Sequence, residues 1–422
     1  MFILFDILFF IAFILYFPVL IWRGKWHAGF VDRFGFLSPA IIRTLSLGEN
    51  VWLHAVSVGE AAALDGVIAA LHQRFPEKRL VLTVSTKTGY AFAVRKYPSN
   101  VLVLWSPLDL SLTVDHFVRV IRPEIYIVAE TELWPNLFLR LSADQVPIVV
   151  LNGRISDLAF PRYRRVKWFL RGMLRRVTVF GMQSRIDAER VIELGADPSA
   201  VRVMGNVKFD SKPAVEAVDP RGYGFEPEQQ LILGGSTHPG EEEELLAIYC
   251  SLKAKHPLCR LVIAPRHPER SAEVAQRVRE AGLNPVLFSR LKGILDADDV
   301  LVVDSIGHLL RFYSIAAIVF VGKSLTARRG GGQNIIEPAV FAKPIIMGTY
   351  TQNFRDITRA FLDEHAVIQV SDGQGLKAAV QKLLEDPALR SDLGARARKV
   401  VASHQGATER AVDLVADTMR SR

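Results

Sequence analysis

From residue 51 onward, short apolar runs recur between longer stretches of helical period. The runs at 51–56, 80–85, 101–105, 124–129, 146–152, 177–182 and 201–204 are almost continuously apolar. Helix-length segments such as 60–74 and 110–121 separate them. Strands apolar on both faces with helices between them predict a parallel sheet covered on both sides. The polar stretch 206–230, NVKFDSKPAVEAVDPRGYGFEPEQQ, breaks the rhythm and reads as a linker. The alternation then resumes at 231–233, 260–264, 285–288, 300–303, 317–321, 344–347 and 367–370, and 387–422 reads as helical, packing back on the first domain. The expected class is α/β, with doubly wound domains at 26–205 and 231–386 facing a cleft. In such folds ligands gather at the carboxyl ends of the strands. Pattern alone leaves the strand order open.

Residues 2–22 follow neither period. This run, FILFDILFFIAFILYFPVLIW, holds one charge, Asp6. Its length predicts a membrane-anchor helix within 1–25, spanning the bilayer or lying in it. A cleaved leader would need a basic start and a small-residue cleavage site, and this chain has neither. Arg23, Lys25 and Arg33 follow the run and no Lys or Arg precedes it, which predicts that the bulk of the chain faces the cytoplasm. The anchor also reconciles a formal charge of +8 with a positive mean hydropathy of +0.19. Cys250 and Cys259 are the only cysteines, too few for a disulfide framework or a zinc site, in keeping with a reducing compartment. No His, Asp and Glu cluster has metal-ligand spacing, so no metal is expected.

Candidate chemistry collects at predicted strand ends. LHAVSVGE at 53–60 puts Ser57 and Gly59 in a corner and Glu60 at the head of the next helix. There Glu60 can act as a general base or simply complement the helix dipole. AETELWPN at 129–136 carries Glu130 and Glu132, which an extended backbone would turn to opposite sides, and Pro135 in a helix's first turn. The stretch 160–176, FPRYRRVKWFLRGMLRR, predicts one helix dense in Lys and Arg, suited to an anionic membrane surface or simply solvated over a core stripe. It carries no nucleic-acid-binding motif. GGSTHPGEEEE at 234–244 opens a helix with four Glu that favour its dipole. APRHPER at 264–270 offers Arg266 to a planar anion. GGGQNIIEPAVFAKPIIMG at 330–348 joins a glycine loop to a helix beginning near Asn334, and Glu337 can accept from a ribose diol.

Taken together, LHAVSVGE, ETELWPN, LNGRIS (151–156), GNVKFD (205–210), STHPGEE (236–242), APRHPER and GGQNIIE (331–337) resemble the 3-deoxy-D-manno-octulosonic acid (Kdo) transferase family of lipopolysaccharide synthesis, in the same order. The resemblance implies a GT-B fold and inverting, metal-free transfer of Kdo from CMP-Kdo to a lipid A precursor, with no other cofactor. It also implies a place at the cytoplasmic side of a bacterial inner membrane, against its lipid surface, with no nucleic-acid partner. Glu60 would be the base. The CMP-binding positions would be Pro265, Arg266, Ile306, Gly307, His308, Asn334, Ile335, Ile336 and Glu337. On the acceptor side stand Ser57, Gly59, Glu130 and Glu132, and Arg154, Lys208 or Arg266 would meet the Kdo carboxylate. Two positions depart from the family pattern: His308 replaces an acidic residue, and Gln333 replaces the His of GGHN. The alternatives are a membrane-associated transferase using a UDP-sugar on a lipid acceptor, or an inactive nucleotide-binding scaffold.

Overall fold

A computed structural model of the chain describes residues 6–7, 10–11, 28–97, 101–210, 218–326 and 330–421. It contains two compact units, 1–211 with 404–422, and 212–403. The first unit is built on β1 (Asn50–Ala55), β2 (Arg79–Val84), β3 (Val101–Trp105), β4 (Pro123–Ala129), β5 (Ile148–Gly153), β6 (Val179–Met182) and β7 (Val201–Val203). They pair in parallel in the order β3-β2-β1-β4-β5-β6-β7. Because successive side chains of a strand point to opposite faces, each strand feeds two cores. Trp52 of β1 joins Phe117, Tyr126 and Phe138 beneath one face, while Val51, Leu53 and Ala55 join Leu64, Val67 and Leu71 on the other. The second core is completed by the last helix, Ala407–Arg420, through Ala407, Ala411, Val412 and Val415. Gly406 at its head has no side chain to cap it, and Asp210 accepts from the Gly406 and Thr408 N–H groups instead.

The second unit repeats the plan with β8 (Gln230–Thr237), β9 (Cys259–Pro265), β10 (Asn284–Leu287), β11 (Asp299–Val302), β12 (Ile318–Val321), β13 (Ile345–Gly348) and β14 (Ile368–Val370). Their order is β10-β11-β9-β8-β12-β13-β14, again all parallel. Each sheet therefore reverses its winding once, between β1 and β4 in the first unit and between β8 and β12 in the second. Crevices at such reversals are where doubly wound sheets bind ligands.

Four expectations need correction. Among the described residues no helix is long and apolar enough to cross a membrane, so the anchor-helix expectation fails. Most of 2–22 lies outside the described residues. Asp6, the run's one charge, accepts from the Ser111 N–H at 2.9 Å and from Asn136 Nδ2 at 3.0 Å, both groups of the first unit. The placement at a bacterial inner membrane rested on that anchor and falls with it. The basic stretch is two short helices, Phe160–Arg165 and Lys167–Leu174, broken by a tight turn at Val166. The second helix buries Leu170, Met173 and Leu174 in the first core and leaves Trp168 80% exposed. The 60–74 segment likewise divides, into Val58–Ala63 and Asp65–Arg74.

Candidate active site

In the first unit the winding reversal brings three carboxylates together. Ser57 ends the turn after β1, and Gly59 and Glu60 lie in the first turn of the helix that follows. Glu60 folds back so that one carboxylate oxygen accepts from the Val56 N–H and the other from Ser57 Oγ at 3.3 Å. Burial raises its pKa, and the nearby charge of Glu130 adds to that, while the Val56 and Ser57 donors pull the other way. The segment after β4 is not extended. Glu130 adopts a left-handed φ of 56°, and this turn spoils the simple alternation expected of Glu130 and Glu132. Glu132 is pushed up to about 7 by burial, then by Glu60, then by Glu130. All three carboxylates thus share one electrostatic neighbourhood, and Glu132 titrates near neutrality.

The LNGRIS and GNVKFD motifs frame this cluster. Asn152, also left-handed at φ 56°, accepts from the Val207 N–H at 3.2 Å through its side chain and from Gln183 Nε2 at 2.9 Å through its carbonyl. Asn206 Nδ2 donates to Gln183 Oε1 at 2.9 Å, and the Lys208 N–H donates to Asn206 Oδ1 at 3.0 Å. That chain of amides delivers the Lys208 ammonium to 3.8 Å from Glu130. The Arg154 N–H donates to Thr131 Oγ1 at 3.0 Å, and Thr131 returns its hydroxyl to the Arg154 carbonyl at 2.6 Å, tying the β5 end to the β4 end.

In the second unit the strand ends carry the opposite charge. Pro265 closes β9, and the Arg266 N–H donates to the Thr237 carbonyl at 3.0 Å, leaving an exposed guanidinium beside the end of β8. Glu337 is raised by burial, against the effects of a 3.2 Å hydrogen bond from Asn334 Nδ2 and the charge of Arg266. Asn334 Oδ1 accepts from the Ile336 N–H, and Ile335 and Ile336 are buried. The helix they begin, Ile336–Val340, has five residues, so the glycine loop ahead of it matters more than any helix dipole. Gly332 takes φ +75°, a conformation L side chains rarely adopt, so that its N–H and that of Gly331 both reach the Lys323 carbonyl. Ile306 is 86% exposed, Gly307 is left-handed, and the His308 ring packs 4.7 Å from Phe288.

Sequence reasoning missed what holds this second edge in place. Glu241, 0% exposed, accepts four backbone N–H groups: those of His238 at 2.9 Å, Lys323 at 2.8 Å, Ser324 at 2.9 Å and Leu325 at 3.1 Å. Glu242, equally buried, pairs with Arg270 at 2.8 Å. Two of the four Glu assigned to the helix dipole are therefore internal ties. No local signal distinguishes them, because their partners lie as far as 84 residues away in sequence.

The chain has relatives in sequence and in fold. The family profile described as 3-deoxy-D-manno-octulosonic-acid transferase matches residues 28–211. The chain is 31% identical over 395 residues to the 3-deoxy-D-manno-octulosonic acid transferase of Haemophilus influenzae, covering 93% of this chain and 91% of that one. It is 30% identical over 410 residues to the enzyme of the same name from Bordetella pertussis, covering 93% and 92%. Among solved structures, UDP-GlcNAc 2-epimerase from Neisseria meningitidis aligns with a TM-score of 0.61 at 12% identity, over 87% of this chain and all of that one, a likeness of fold. Similarity at this level over 93% of the chain leaves one assignment: the chain belongs to the 3-deoxy-D-manno-octulosonic acid transferase family.

Proposed function

We propose that this enzyme is an inverting glycosyltransferase that moves Kdo from CMP-Kdo to a lipid A precursor. The observation that carries the reading is Glu60 at the β1/β4 reversal, within a chain similar to Kdo transferases over 93% of its length. Glu60 takes the proton of the acceptor hydroxyl as that oxygen attacks the anomeric carbon. The bond from that carbon to the phosphate oxygen breaks, and CMP leaves with the electron pair. Burial and the charge of Glu130 raise the basicity of Glu60, which suits a base that must act on a hydroxyl. Ser57 orients its carboxylate, and Gly59 leaves the corner open to the acceptor. Glu132 and Glu130 set the field around it, with Lys208 and Arg154 framing the same edge.

In the second unit Arg266 meets the phosphate, whose leaving requires charge stabilisation. Glu337 accepts from the ribose diol, held by Asn334. Pro265, Ile306, Gly307, His308, Ile335 and Ile336 shape the nucleotide pocket. Mass spectrometry of a lipid A precursor incubated with the chain and CMP-Kdo should show added Kdo mass, with inhibition by CMP. Inhibition by UDP without added Kdo would favour a UDP-sugar transferase. No turnover of any nucleotide sugar, with CMP binding retained, would favour a scaffold.

A further inference from the structure

The β8/β12 reversal holds a lysine that none of the sequence motifs singled out. Lys323 lies two residues beyond β12 and has a left-handed φ of 60°, and Ser236, at the end of β8, has φ 54°. A left-handed backbone costs an L-residue roughly 1 kcal/mol that glycine does not pay. The turn itself therefore gains nothing from a lysine, and only its side chain accounts for it. The backbone is fixed on both sides, with the N–H on Glu241 and the carbonyl taking the N–H groups of Gly331 at 3.0 Å and Gly332 at 2.8 Å. The half-buried side chain thus leaves from a rigid point.

Its surroundings are cationic, and the carboxylates nearby are already committed to other groups. His238, 8% exposed, is locked to Lys323 because both N–H groups donate to the same Glu241 oxygen. The His238 ring lies 6.1 Å from that of His267. Burial first, and then the charges of Lys323, His267 and Arg270, hold the His238 imidazole toward its neutral form. The neighbouring carboxylates are engaged: Glu241 with four backbone donors, Glu242 with Arg270, and Glu269 with His267 at 3.4 Å. Among the described residues, neither Lys323 nor Arg266 has a carboxylate within ion-pair distance. Two cations without an ion-pair partner at one sheet edge, Arg266 feeling only the more distant charge of Glu337, fit a ligand with two anionic groups.

We propose that Lys323, flanked by His238, binds the carboxylate of the sugar acid carried by the donor, while Arg266 serves the phosphate. This rests on the CMP-Kdo reading and adds to it a residue that fixes the donor's sugar. Lys208, the rival cation, already faces Glu130 in the first unit.

The test compares the unaltered chain with Lys323→Gly and Lys323→Arg. Melting shifts produced by CMP-Kdo and by CMP are measured alongside the KM for CMP-Kdo. In Lys323→Gly the KM should rise about tenfold, as for loss of a charge-assisted hydrogen bond. The extra stabilisation that CMP-Kdo gives over CMP should disappear, inhibition by CMP should stay within about twofold, and the ligand-free protein should melt no lower. Lys323→Arg should recover most of the KM. An unchanged KM and melting shift in Lys323→Gly would overturn the proposal. So would an equal weakening of CMP, which would give the charge to the phosphate. If the unaltered chain were stabilised by CMP-Kdo but transferred nothing, the transferase reading alone would fail, and the melting shifts would still decide the role of Lys323.

Discussion

The two sheets reverse their winding in the same way and equip the reversals with opposite charge. At β1/β4 stand Glu60, Glu130 and Glu132, and at β8/β12 stand Lys323 and His238 with Arg266 alongside. Both edges also hold residues in left-handed backbone where glycine would be unstrained: Glu130 and Asn152 in the first unit, Ser236 and Lys323 in the second. Among the described residues the other non-glycine positions with positive φ, Arg122, Gln145, Ala342 and His365, follow helix ends, where such a turn is ordinary. One scaffold thus gathers carboxylates at one reversal and cations at the other, which is the division that the proposed base and the proposed anion sites require. The fold fixes where the site lies, and the side chains decide what it does.

The sharpest way to break this division is at Glu60. Glu60→Gln keeps the shape and removes the base, so kcat should fall by about 10³-fold, within the usual span for general-base catalysis. CMP binding, which we assign to the second unit, should stay within about twofold, because distant sites act independently. Steady-state rates with a CMP titration check both. Retained turnover would remove the base assignment.

Next in size is Glu241→Ala, which strikes the opposite edge from within. It strands four backbone N–H groups in a buried place. The expected loss is about 3 kcal/mol of stability, a drop in melting temperature on the order of 5–10 °C, together with weaker CMP binding. Normal stability with weak CMP binding would mean that Glu241 touches the ligand rather than bracing the loop.

These two carboxylates also mark what the sequence could reveal. The place of Glu60 was legible because it depends on local order: a buried strand, a corner and a helix start, all within LHAVSVGE. Most strands were legible for the same reason, since they are nearly continuous apolar runs with their turn chemistry beside them. Glu241 was not, because its partners are the N–H groups of a loop that only the β8/β12 pairing brings near. Lys323 was hidden twice over, by the unknown strand order and by a φ that no composition reports. Glu130 misled, because alternation presumes an extended backbone and the turn after β4 is left-handed. The run at 2–22 misled by length and hydropathy, which count apolar residues and do not see Asp6 bonded to Ser111 and Asn136.

The pH response of the first edge gives a smaller effect with a definite sign. Glu132 is pushed up to about 7 in the folded chain, from an ordinary value of 4.5. Between those values the unfolded chain has released a proton that the folded chain keeps. Stability therefore falls as pH rises from about 4.5 to about 7 and is level beyond. Glu132→Gln removes that loss. The variant should match the parent near pH 5 and exceed it by about 1 kcal/mol at pH 8, after allowing for partial exposure. Denaturant melts at the two pH values check this, and a variant less stable at pH 8 than its parent would show that Glu132 is ionised and bound there.

The smallest expected effect belongs to Lys208, the cation set against the carboxylate edge. Its ammonium lies 3.8 Å from Glu130, and both side chains are only partly buried. Such a pair is worth less than about 1 kcal/mol, so Lys208→Met should lower the melting temperature by no more than about 3 °C. If the first edge works through its carboxylates alone, turnover of CMP-Kdo should stay within about threefold, since a compensating charge is lost and no reacting group is. A fall approaching that of Glu60→Gln would mean that a cation acts on substrate at the β1/β4 reversal as well. The carboxylate of the sugar acid would then be met from the first unit, and the division of charge between the two edges would no longer divide the chemistry.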